Sequence, residues 1–61
     1  MIEQPRQSES DLEMEIERLE LHARDIRDRV TAATDDRDRG VLNRQLKEVE
    51  QQIEQLRARL R

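Results

Sequence analysis

The chain has 61 residues, 12 Lys or Arg against 15 Asp or Glu, and a formal net charge of −3. Charged residues make up 44% and hydrophobic ones 33%, with no aromatic residue and no cysteine. That leaves room for one domain at most, rules out a disulfide or thiolate metal site, and argues against the basic field and aromatic stacking platforms of nucleic-acid binders.

Residues 1–9, MIEQPRQSE, have no apolar periodicity and contain the chain's one proline, Pro5. They read as a flexible N-terminal tail. Ser10, followed three residues later by Glu13, is the pattern of a capping box, and Asp11 suits the positive end of a helix. A first helix is expected over residues 10–33. Within it Leu12, Ile16, Leu19, Ala23, Ile26, Val30 and Ala33 are spaced 4, 3, 4, 3, 4, 3. That is an unbroken heptad seam, with Leu12, Leu19, Ile26 and Ala33 at d and Ile16, Ala23 and Val30 at a.

The seam stops in TAATDDRDRG, residues 31–40. Residues 34–40 are expected to form an acidic turn, with aspartates to cap and Gly40 to supply an unusual backbone angle. A second helix is expected over residues 41–61. Its seam is Leu42, Leu46, Val49, Ile53, Leu56 and Leu60, spaced 4, 3, 4, 3, 4. Arg57, Arg59 and Arg61 suit the negative end of that helix. Glu, Arg, Leu and Gln in abundance, with one Gly and one Pro, is the composition of coiled coils.

The two seams are out of phase. Nine residues separate the d positions Ala33 and Leu42, where a continuous heptad needs seven. On one straight helix the second seam would face away from the first. A reversal of the chain brings them together. The fold class expected is therefore all-α, a two-helix antiparallel coiled-coil hairpin, with the same pairing made between two chains as the competing arrangement. Folding back sets Ala33 against Leu42, Ile26 against Val49, Ala23 against Ile53 and Ile16 against Leu60. The flanking positions then pair Glu20 with Arg57, Arg27 with Glu50, Glu15 with Arg59, His22 with Gln52 and Arg29 with Gln45. Three of these pairs are opposite in charge and none is alike, and such pairs select orientation and partner more than they add stability.

A lone two-helix hairpin has a small core, so self-association or binding to another protein is expected. Met14 and Leu21, seven residues apart, both fall at f, opposite the seam. With Arg18 and Arg24 they are the candidate partner-binding residues, rimmed also by Asp25. Val41 is the third apolar residue off the seam. A two-fold homodimer of hairpins through the first helix is expected, because the charged and amide flanks make the seam too narrow for a four-helix bundle.

Asp35, Asp36 and Asp38 form a candidate acidic tip. Residues 34–38 with the helical frame resemble, in outline, the coiled-coil fingers of Gre-type transcription factors. The resemblance implies an acidic tip that enters the secondary channel of RNA polymerase and helps hold a magnesium ion. It rests on no sequence motif, and interaction hairpins of the UvrB/UvrC type share the outline. The function expected is a small protein–protein interaction module, an adaptor or inhibitor, that binds a larger protein partner. The alternative is an acidic-tip effector of a nucleic-acid enzyme such as RNA polymerase.

No nucleophile–base pair or pocket can be built on so small a helical surface, so no enzyme, cofactor or small-molecule ligand is expected. With His22 as the single histidine, the usual zinc sets are out of reach. No apolar run is long enough to span a membrane and no signal-peptide core follows Met1, so a cytoplasmic protein is expected, with neither nucleic acid nor membrane as partner.

Overall fold

The computed structural model describes residues 8–60. It contains two antiparallel helices, α1 (Glu9–Ala32) and α2 (Asp36–Leu60), folded into a hairpin within one chain. At 1.5 Å per residue each helix is about 36 Å long. The tail expected over residues 1–9 lies outside the described residues as far as residue 7, and so does Arg61.

The cap of α1 differs from the expectation by two residues. It is Ser8, not Ser10. Its Oγ accepts the Asp11 N–H at 3.2 Å while its carbonyl accepts the Leu12 N–H at 3.0 Å. The cap is the single Asp11 N–H to Ser8 Oγ bond, and Glu9 and Asp11 lie in the first turn beside the positive helix end. Both serines satisfy the capping rule in sequence. Capping at Ser8 lets α1 complete its first turn before the seam begins at Leu12.

All thirteen seam residues are buried or half-buried. Leu12, Ile16, Ala23, Ile26, Val49, Ile53 and Leu56 form the buried cluster, and Leu19, Val30, Leu42, Leu46 and Leu60 pack against it. Ala33 is half-buried at the turn. Among the other described residues only Glu15 is half-buried. Ala23 is the most deeply covered, at 1% exposure. Two cross-helix ion pairs hold the alignment: Arg27 Nη2 to Glu50 Oε2 at 3.1 Å, and Arg57 Nη2 to Glu20 Oε2. Both join e positions, and both agree with the layer-by-layer alignment of the seams. Glu15 and Arg59 line one groove with Leu19, Gln52 and Leu56, so the expected partners lie on the same flank. Arg29 makes an ion pair along its own helix, Nε to Asp25 Oδ2 at 3.2 Å.

The connection is shorter than expected. α2 begins at Asp36, five residues before residue 41, and only Ala33, Thr34 and Asp35 lie between the helices. Asp35 is the reason. Its Oδ1 accepts the Arg37 N–H at 3.1 Å and its carbonyl accepts the Arg39 N–H at 3.0 Å, which makes it the N-cap of α2. Asp36 and Asp38 then occupy the first turn, where negative charge is favoured. The Ala33 N–H closes α1 on the carbonyls of Arg29 and Val30, and the Ala33 carbonyl accepts Arg39 Nη2 at 2.8 Å. Gly40 is helical, and no described glycine or other residue has a positive φ. The reversal therefore needs no left-handed residue.

The alignment sets Leu42 beside Ala33, so α2 residues 36–41 extend beyond the end of α1. Burial agrees: every residue from Thr34 to Val41 is exposed, and Leu42 is the first that is not.

Two outcomes test this arrangement. Glu20→Arg sets two cations against each other at Arg57 and should lower the melting temperature slightly; adding Arg57→Glu should restore it, with a coupling of about 0.2–1 kcal/mol. Additive effects in that double-mutant cycle would show that the two side chains do not meet. Gly40→Ala should stabilise the protein by about 0.5–1 kcal/mol, because the site is helical and an added Cβ would meet nothing within 4 Å. A loss of stability in thermal melts would instead place Gly40 in a turn.

Candidate interaction surface

The outer side of α1 carries the two apolar residues that the seam does not use. Met14 is 67% exposed and Leu21 60%. Seven residues apart on one helix, they lie two turns apart on the same stripe, about 10 Å along the axis. Asp11, Arg18 and Asp25 continue the stripe, and Glu17 and Arg24 lie beside it. Asp11, Met14, Glu15 and Arg18 line an open depression of about 480 Å³ on this face. These four stand at positions i, i+3, i+4 and i+7, the spacing of the hole that receives a side chain from a facing helix.

The ionic pattern divides the molecule into two sides. On the seam flank, Glu20, Arg27, Glu50 and Arg57 engage each other. On the outer face, no ion pair among the described residues engages Glu17, Arg18 or Arg24, while Asp25 pairs with Arg29. The candidate residues Met14, Leu21, Arg18 and Arg24 thus lie on one accessible face. Val41, 51% exposed, lies far from them on the projecting first turns of α2.

A second depression, about 270 Å³, opens between the helices over Ala23 and Ile53. Its rim is Glu20, Arg27, Glu50, Glu54 and Arg57. It exists because the small Ala23 side chain lies in mid-seam, where long charged side chains from both helices cross above it. Four of its five rim residues are held in the two inter-helix ion pairs, so opening it to a ligand would cost the contacts that align the hairpin.

At the other end, the three candidate acidic residues do not converge. Asp35 caps α2, and Asp36 faces Arg39 of the same turn at 3.8 Å. Arg37 and Arg39 alternate with them along the chain. Among the described residues no group of three or more His, Cys, Asp or Glu side chains is placed to hold a metal ion. No described helix is long and apolar enough to cross a membrane.

The exposure of Met14 and Leu21 agrees with their f positions in the heptad. Compared with known proteins, the chain matches no family model, no curated protein and no solved structure.

Proposed function

We propose that this protein is a non-catalytic protein–protein interaction module, an adaptor or inhibitor. It is a hairpin packed as an antiparallel coiled coil that offers the outer face of α1 to a helix of its partner. The observation that carries this reading is the stripe of Met14 and Leu21, 67% and 60% exposed, with Arg18 between them and Arg24 beside it. Single exposed apolar residues are ordinary on protein surfaces. Two on one stripe, next to a depression with the spacing of a coiled-coil hole, make a helix-in-groove contact available. Burying both side chains contributes roughly 3–6 kcal/mol at about 1.5–3 kcal/mol each. Association costs at least about 4 kcal/mol, so the face binds reversibly and needs its flanking charges for orientation.

Capture from a lysate of the native host tests this reading against an effector that works through its tip. Met14→Glu with Leu21→Glu should abolish capture of the partner and leave helicity by circular dichroism unchanged. Asp35→Asn with Asp36→Asn should keep it, since asparagine caps helices about as well as aspartate. The opposite result, with capture lost only in the asparagine variant, would move the function to the acidic tip and to a nucleic-acid enzyme such as RNA polymerase.

A further inference from the structure

We infer that the hairpin carries a second binding face, the outer side of the first turns of α2, and that its occupant is an acidic helix of another protein. The face stands on different residues from the one proposed on α1. Arg37, Gly40, Arg44 and Lys47 are spaced 3, 4 and 3, which sets them on one stripe of α2, opposite the seam residues Leu42, Leu46 and Val49. All four are exposed. From Arg37 to Lys47 the stripe runs about 15 Å along the axis.

The three cations are not engaged within the hairpin. Among the described residues, ion pairs hold Arg27, Arg29, Arg39 and Arg57, and none holds Arg37, Arg44 or Lys47. Glu48 stands one turn beyond Arg44 without pairing with it. Arg44 and Lys47, three apart on the helix, repel each other until an anion arrives. Gly40 lies among them as a helical residue without a positive φ, and a Cβ there would meet nothing within 4 Å. Its missing side chain serves no turn and costs helix stability. What it leaves is bare backbone between Arg37 and Arg44, where a facing helix can approach closely. Val41, 51% exposed, borders that stretch and gives the contact an apolar side chain.

Charge complementarity asks for carboxylates, and the short reach of the patch favours a helix as their carrier. Along the stripe the positive charge gives way at Gln51 and reverses at Glu54. Asp36 and Asp38 flank its other end, and α1 holds eight carboxylates against four arginines. A nucleic-acid duplex or an anionic membrane extends well past the stripe and meets those carboxylates too. A helix packed on α2 touches only a few turns, so carboxylates on one of its faces meet Arg37, Arg44 and Lys47 while the rest of it stays clear. The outer sides of α1 and α2 point in opposite directions, so this face and the Met14/Leu21 stripe can be filled at once. Filled together they join two proteins, which is the adaptor form of the proposed role.

Photo-cross-linking of the full chain in cells of the native host tests the inference. A benzophenone amino acid replaces the exposed Val41, and the linked segment is sequenced by mass spectrometry. The expected product is a protein segment of helical periodicity with carboxylates spaced to meet Arg37, Arg44 and Lys47. A synthetic peptide of that segment should bind the full chain more weakly as salt rises, and about tenfold more weakly after Arg44→Glu with Lys47→Glu. Gly40→Gln should raise the melting temperature yet weaken binding, two opposite effects that a purely structural residue does not produce. Met14→Glu with Leu21→Glu should leave the peptide affinity unchanged, so failure here is separable from failure of the face on α1. A link to nucleic acid or lipid, a segment without the carboxylate pattern, or no product at all overturns the inference. So does a peptide bound equally well by the parent chain and the doubly reversed variant.

Discussion

The half-turn mismatch between two apolar seams is the constraint on which the structure depends. The chain has no aromatic residue to anchor a core and no disulfide, and its described residues hold no cluster of metal ligands to staple one. Its thirteen seam residues are all of the buried or half-buried apolar residues among the described ones, and each half of the chain holds about half of them. A continuous helix would leave both stripes in water on opposite sides. Reversal covers each with the other. The ion pairs Glu20–Arg57 and Arg27–Glu50 then decide how far the helices slide. Apolar layers recur every few residues and fit several alignments nearly as well. The charges do not, because a shift of one heptad brings Glu20 opposite Glu50, or Arg27 opposite Arg57.

That division of labour explains what could be read without coordinates. Period and charge are local and repetitive, so the seams, their antiparallel sense and the e-position pairs were all legible. The turn was not. Aspartate, threonine and glycine favour both loops and helix starts, and Asp35, Asp36 and Asp38 satisfy either description. Which one caps depends on how many residues the chain needs to climb from the end of α1 to the start of α2. Three residues suffice, so Asp35 caps, Asp36 and Asp38 fall in the first turn, and Gly40 becomes an ordinary helical position that carries an entropic penalty with no turn to justify it. The same ambiguity moved the cap of α1 from Ser10 to Ser8.

The candidate surface was legible to a similar depth. Heptad position alone exposes Met14 and Leu21. The half-burial of Glu15 was less accessible, since it depends on the groove that Gln52, Leu56 and Arg59 of α2 build beside it. The acidic tip illustrates the reverse case. Its composition suggests a ligand site, yet the fold gives Asp35 a backbone amide and Asp36 an arginine, and interleaves Arg37 and Arg39. A carboxylate that stabilises its own helix start is already engaged by the N–H groups and positive dipole end it caps, which lowers its availability to an outside cation.

The seam and the outer face differ in what holds them, and that difference suits a binding module. Along the seam, contact within one chain has a high effective concentration because a three-residue connection joins the helices. Weak layers and half-exposed ion pairs are enough there. The outer face has no such advantage. Two aliphatic side chains and their neighbouring charges must overcome the full cost of bringing molecules together, so contact through it is reversible by construction. On the proposed role, a longer amphipathic helix from another protein would bury Met14 and Leu21 and meet Arg18 and Arg24 with carboxylates, and the hairpin beneath would be unchanged because its seam takes no part in that contact.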